Sequence, residues 1–393
     1  MALDIYDDVT VGGQTCRLCL GITLFLWEKQ EPVGDMEQLE KFQIIFNNPL
    51  ATYHAGDTVF GYGWIVLKNS MFVQTVCLEA IGEAKVEWMT SSDIQASDEE
   101  VFNYTTVLPI KGEKDTSDGA VLHSGSHYFP FEFTLPQKAP SSFKGKHGRL
   151  RYFARMTICT PGGPHPTRTS KFAVIGCLDL NNEPDAAYPV ENDTFETVGS
   201  FCCIAGTVTA SIRLEKKGFA LRDAIPVYAE IKNLSTRRIS HTHVSLIQNV
   251  TYYSYRGRFS ESTTLVTVRK GSIVPRGKQT WQQELISIPT APPSHLRGCK
   301  IIDVQYSIEL CIKPSGFARK VKLPVDILIG TVPLSDKTIK KSSYHPLPSN
   351  VEEKSIPYPF FENPSDKAYL TDMGYLQHML PTAPPWEEDA DIP

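Results

Sequence analysis

From Lys41 onward the apolar residues come in short runs, and within each run they tend to fall on alternate positions. Phe42-Gln-Ile-Ile-Phe46, Thr58-Val-Phe-Gly-Tyr-Gly-Trp-Ile-Val-Leu67, Val76-Cys-Leu-Glu-Ala-Ile81 and Tyr128-Phe-Pro-Phe-Glu-Phe-Thr-Leu135 are rich in β-branched and aromatic residues. Gly, Pro, Asn and Asp punctuate them. No long stretch keeps apolar residues at the 3.6-residue spacing of a helix. Many short strands broken by turn residues predict an all-β sandwich or barrel.

The pattern then repeats. Gly56-Asp-Thr-Val59 leads through Ile65 to Lys68-Asn69, then to Val73, Leu78 and Ala80. Arg222-Asp-Ala-Ile225 leads through Ile231 to Lys232-Asn233, then to Ile239, Val244 and Leu246. Leu135-Pro136 with Pro140, Phe143, Lys144 and Gly145 aligns with Ile288-Pro289, Pro293, Leu296, Arg297 and Gly298. A strand follows each glycine, with Leu150, Tyr152, Ala154, Met156 and Ile158 on one face in the first copy. Val304, Tyr306, Ile308, Leu310 and Ile312 form that face in the second. Because successive side chains on a strand point to opposite faces, each set predicts one buried face. The expected fold class is all-β, with two tandem immunoglobulin-like β-sandwich domains and a disordered C-terminal tail.

Composition places the boundaries. Residues 1–37 read as an N-terminal extension of unknown role, 38–178 as the first sandwich and 179–195 as a polar linker. Residues 196–335 read as the second sandwich and 336–393 as a proline-containing tail, basic at first (Lys337, Lys340, Lys341) and acidic at its end. A chain of 393 residues suits two cores better than one.

The net charge of −5 carries no basic bias of the kind a nucleic-acid binder shows. The nine cysteines follow no disulfide framework. Several, such as Cys159 and Cys311, lie in apolar runs as small hydrophobes, which favours a reducing, cytoplasmic setting. Cys16-x-x-Cys19 lacks the second pair that a zinc site needs. The apolar run Leu18–Trp27 is too short to span a bilayer, and Asp4, Asp7 and Asp8 precede it where a signal peptide carries positive charge. Asn-x-Ser/Thr sequons at Asn103, Asn192, Asn233 and Asn249 keep a secreted two-domain binding protein open as an alternative. No nucleophile elbow, phosphate loop or His-Glu-x-x-His helix is present, and His241-Thr-His243 has no third metal ligand nearby in sequence.

Several stretches together resemble the α-arrestins, the arrestin-domain-containing proteins. They are Ile44-Ile-Phe-Asn-Asn-Pro49 with Tyr53-His-Ala-Gly-Asp57, Glu83-Ala-Lys-Val-Glu-Trp88, and Leu135-Pro136 through Ser142-Phe-Lys-Gly-Lys-His-Gly148 to Arg151-Tyr152. Lys216-Lys-Gly-Phe219 and Gly298-Cys299 with Val304-Gln-Tyr306 complete the set. The likeness covers about residues 38 to 335. It implies the arrestin fold, no enzymatic activity and no cofactor. It also implies an adaptor that grips membrane-protein cargo and brings ubiquitin ligases or endosomal sorting machinery to it, with recruitment to plasma membrane and endosomes. A structural trafficking scaffold of the same fold, without a ubiquitin link, is the alternative within the family.

Two features bear on partners. The family's Pro-Pro-x-Tyr ligase motif is missing: the tail's Pro384-Pro385 is followed by Trp386-Glu387. The tail instead carries Pro381-Thr382-Ala383-Pro384, the class of ligand bound by the ubiquitin-variant domain of the first ESCRT complex. A proline-rich segment is already near polyproline II, so it loses little entropy on docking. The outward face of the strand after Gly148 carries Arg149, Arg151, Phe153 and Arg155, with Lys144 and Lys146 before it. The matching positions of the second copy are Asp303, Gln305, Ser307 and Glu309. The fold is kept while the charge is reversed, so a cargo- or phosphate-binding role is one reading of the basic residues. A solvated face with cross-strand acidic partners is the other.

Overall fold

The computed structural model describes residues 7–11, 14–18 and 38–335, apart from positions 92, 111–112, 117–118, 164, 201–202 and 317. In chain order the first strands are β1 (Asp7–Val11), β2 (Gln14–Leu18), β3 (Leu39–Phe46), β4 (Thr52–His54), β5 (Thr58–Leu67), β6 (Met71–Val73) and β7 (Thr75–Met89). They continue as β8 (Ile94–Leu108), β9 (Glu113–Thr116), β10 (Gly119–Leu122), β11 (Gly125–Thr134), β12 (Phe143–Lys144), β13 (Gly148–Cys159) and β14 (Thr167–Ile175). After a 3-10 turn at Leu180–Asn182 come β15 (Val190–Ser200), β16 (Cys203–Leu214), β17 (Gly218–Ala220), β18 (Ala224–Asn233) and β19 (Ile239–Ser254). The last are β20 (Gly257–Lys270), β21 (Lys278–Ser287), β22 (Ile302–Pro314) and β23 (Val321–Gly330). Of the stretch expected as linker, residues 190–195 open β15, so the irregular connection is shorter than composition suggested.

In the first sandwich the sheet β11-β5-β3 faces β4-β14-β13-β7-β8, with β12 paired to β13. In the second, β15-β16-β18-β21 faces β17-β23-β22-β19-β20. The alternating residues named above are buried in both strands, β13 and β22, as the period of two requires. The first core centres on the ring of Phe172, which meets Phe46, Tyr53, Phe133 and Tyr152 at centroid distances of 5.5 to 6.0 Å. Burying one such side chain is worth about 1.5–3 kcal/mol.

The duplication extends to hydrogen bonds. Each sandwich holds one short parallel pair, β4 with β14 and β17 with β23. Each then turns at a residue with positive φ, Gly56 at 91° and Arg222 at 72°. The next residue's carboxylate caps the turn: Asp57 accepts from the His54 amide at 2.7 Å, and Asp223 from the Ala220 amide at 2.9 Å. The buried Tyr152 hydroxyl donates to the Pro140 carbonyl at 2.7 Å, and the buried Tyr306 hydroxyl to that of Pro292 at 2.7 Å. The Ser142 hydroxyl accepts from the Val174 amide at 2.9 Å, and that of Ser294 from Ile329 at 2.8 Å. These bonds match Pro140 with Pro292 and Ser142 with Ser294, one residue away from the alignment read off the sequence, which set Pro140 against Pro293. The physical reason is loop length: the second copy is one residue shorter between Ile288 and its proline than the first is from Leu135, and it has two more residues between the serine and the tyrosine.

Candidate interaction site

The two copies of the repeated segment lie where the sandwiches meet. In the first, the Gly145 amide donates to the Gly148 carbonyl at 2.8 Å, closing a tight turn between β12 and β13. That turn rests on Tyr252 of β19. A Cβ on Gly148 would sit 2.8 Å from Tyr252 Cδ1, and one on Gly145 would overlap the Tyr252 hydroxyl, so only glycine permits the approach. The His147 ring packs on Phe259 with centroids 4.8 Å apart, and Trp88 reaches the same ring at 6.1 Å. In the second copy, Gly298 backs onto the Lys138 carbonyl and Pro140, and the Lys300 amide donates to Glu99 Oε2 at 2.7 Å. Arg256 pairs with Asp93 at 2.9 Å at the rim. Each domain thus presents the same loop to the other, which explains why one chain spells the segment twice.

The basic residues of β12 and β13 divide into two groups. Arg151 bonds Glu83 of β7 at 2.5 Å, and Arg155 reaches Glu79 of β7 at 3.4 Å. Both guanidiniums flank the Phe153 ring, at 5.7 and 5.4 Å, and Phe153 is buried beneath them although it lies on the outward face. Burial works against the Glu83 carboxylate, but Arg151 and Lys85 outweigh it and hold its pKa below the ordinary glutamate value. Towards this end of the row the cross-strand acidic partners are therefore present.

Lys144, Lys146 and Arg149 form the other group, and all are exposed at the domain seam. Strand register sets Lys144 opposite Arg149 and Arg149 opposite Lys85, so three cations stand abreast across β12, β13 and β7. Like charges directly opposite one another cost stability. Lys85 is itself paired with Glu83 at 3.2 Å, which offsets part of that cost. Lys85 was not singled out from sequence, because only pairing across 64 residues of chain brings it to Arg149.

The remaining sequence candidates are placed as follows. The rings of His241 and His243 stack 5.7 Å apart, and burial holds the His243 pKa down. Asn233 is fully buried, and its amide donates to the Arg237 and Val274 carbonyls at 2.7 and 3.0 Å, so this sequon is closed to glycosylation in the folded chain. Pro381, Thr382, Ala383 and Pro384 lie outside the described residues, as do the side chains of Cys16 and Cys19.

Residues 42–181 match the family described as arrestin (or S-antigen), N-terminal domain, and residues 205–334 match its C-terminal domain. The chain belongs to the α-arrestin family. It is 33% identical over 318 residues to arrestin domain-containing protein 17 of Caenorhabditis elegans, covering 76% of this chain and 72% of the relative. It is 30% identical over 321 residues to human arrestin domain-containing protein 4, covering 79% and 76%. It is also 27% identical over 298 residues to human thioredoxin-interacting protein, covering 75% of each chain. Membership supports an arrestin-like adaptor that binds cargo or trafficking partners. Among the described residues of this α-arrestin, no helix is long and apolar enough to cross a membrane.

Proposed function

We propose that this α-arrestin is a cytoplasmic, non-enzymatic adaptor that binds membrane-protein cargo at the domain seam and couples it to endocytic and endosomal sorting and to ubiquitination. The observation that carries the reading is the exposed cluster Lys144, Lys146 and Arg149 at the edge of the interface. It suits a phosphorylated or acidic cytoplasmic segment of a receptor or transporter, because lysine and arginine bond such oxygens with charge-assisted geometry. Arg151 and Arg155, each engaged by a glutamate, serve the sheet first and cargo second.

The tail supplies the onward link. Pro381-Thr382-Ala383-Pro384 is the docking segment for an ESCRT component, and recruitment to plasma membrane and endosomes follows from cargo and this motif together. Without Pro-Pro-x-Tyr, ubiquitination is reached through a partner rather than by direct capture of a WW-domain ligase. The test of the cargo surface is charge reversal in the full chain, Lys144→Glu with Lys146→Glu and Arg149→Glu. The expected result is loss of recruitment to cargo-bearing membranes in a protein that melts like the parent. Undiminished recruitment of the folded variant would move the cargo site elsewhere.

A further inference from the structure

At the far end of β13 from the seam, the outward face carries two thiols that the adaptor reading does not use. Cys159 closes β13 and lies opposite Thr75, the first residue of β7, while Thr157 lies opposite Cys77. Inward-facing Ile158 and Val76 form the pair between them, so Cys77 and Cys159 are diagonal neighbours on the same outward face. Neither is in a disulfide, and both are half-buried rather than sealed in the core. Cys77 hydrogen-bonds the Cys159 sulfur, and the Thr75 hydroxyl lies 3.8 Å from the Cys77 sulfur. His165, in the exposed turn beyond, accepts from the Thr160 amide on Nδ1 at 3.3 Å.

We propose that Cys159 and Cys77 form a reversible oxidation site, with Cys159 as the sulfur oxidised first and Cys77 as the thiol that resolves it. The surroundings supply what such a site needs, a low-pKa thiol with access to solvent and a second thiol poised beside it. Hydrogen bonding from Cys77 first, and also from Thr75, holds the Cys159 thiol down at about 6 against the opposing effect of burial. The direction of the shift favours the thiolate, the form that reacts with peroxide.

With hydrogen peroxide as the oxidant, the Cys159 sulfur attacks one peroxide oxygen. An S–O bond forms, the O–O bond breaks, and the departing hydroxide takes up a proton as water. The Cys77 sulfur then attacks the resulting sulfenic sulfur: an S–S bond forms, the S–O bond breaks, and hydroxide leaves with the Cys77 proton as a second water. Two electrons pass from the two thiols to one peroxide, and an added dithiol reverses the change. Cys159 is the last residue of β13 and Cys77 the third of β7, so the closing movement that a diagonal disulfide requires falls at this end of the sheet, with Cys159 the more readily displaced.

The experiment exposes the full reduced chain to micromolar hydrogen peroxide, quenches it, and maps cysteine peptides by mass spectrometry. Brief alkylation with iodoacetamide at pH 7 is read in parallel. The expected results are a peptide pair linking Cys77 to Cys159 that dithiothreitol removes, and trapping of Cys159 sulfenic acid by dimedone in Cys77→Ser. Cys159 should also alkylate faster than the exposed Cys177, on the order of threefold or more once the lower nucleophilicity of a low-pKa thiol is included. Oxidation of Cys177 ahead of Cys159, or Cys159 oxidation that never links to Cys77 in the parent chain, would overturn the assignment. The parent-chain map stands even if a serine variant folds poorly.

Discussion

Removing one oxygen atom from each copy of the repeated segment tests whether the repeat is a structural clasp. In Tyr152→Phe the ring stays in the core, but the Pro140 carbonyl loses the donor now 2.7 Å away. Tyr152 is fully buried, so no water replaces the hydroxyl. A lost hydrogen bond of this kind costs about 0.5–1.5 kcal/mol net, and a buried group left without its partner raises that towards about 1–3 kcal/mol. For a domain of this size each kcal/mol lowers the melting midpoint by about 2–4 °C. We expect Tyr152→Phe to lower it by roughly 2–12 °C. Tyr306→Phe should fall at the upper end, because its oxygen also accepts from Gln248 at 3.0 Å while donating to Pro292. Tyr255→Phe is the control, since that side chain is 96% exposed. Thermal unfolding of the full chain, followed by near-ultraviolet circular dichroism, reads all three. If both core variants melted with the Tyr255→Phe control, the clasp would be incidental to stability.

Three further outcomes follow from the same geometry. Gly148→Ala places a Cβ 2.8 Å from the Tyr252 ring and 2.9 Å from Val86, so the seam must part, at a cost of about 1–3 kcal/mol. Limited proteolysis of the connection after β14 should accelerate in that variant while each sandwich remains folded. Acid should weaken the first domain through Glu83. Its pKa is lower folded than unfolded, so the stability it contributes is present above the ordinary glutamate value and is lost as pH falls below it. Melting curves of Glu83→Gln taken from pH 7 down to pH 3 should show a shallower decline than the parent's. Arg151→Glu would set two carboxylates together beside Phe153, and should destabilise the fold more than Lys144→Glu, whose cross-strand neighbour is Arg149.

Much of this architecture was legible because strand periodicity is a local signal. Thr58–Leu67 is a strand with the bounds its alternation suggested, and both five-residue faces of β13 and β22 are buried as read. What sequence hid was pairing. Nothing local assigns Glu79 and Glu83 to Arg155 and Arg151, since the partners lie 76 and 68 residues apart. For the same reason the basic row looked continuous, whereas register sets Arg151 and Arg155 against Glu83 and Glu79 and leaves Lys144 facing Arg149 at the seam. The burial of Phe153 on the outward face was equally invisible, because it depends on two arginines leaning over one ring. The function of the two glycine-bearing loops became clear only once each was seen against the other domain.

The most direct test of the adaptor account is the affinity of a peptide spanning His378 to Asp389 for the ESCRT ubiquitin-variant domain, measured by calorimetry with Pro384→Ala as control. The account predicts binding with a Kd between about 1 and 100 μM, or roughly −8 to −5 kcal/mol, abolished in the control. Absence of binding, or equal binding by the control peptide, would contradict it and leave the tail without its proposed link to endosomal sorting.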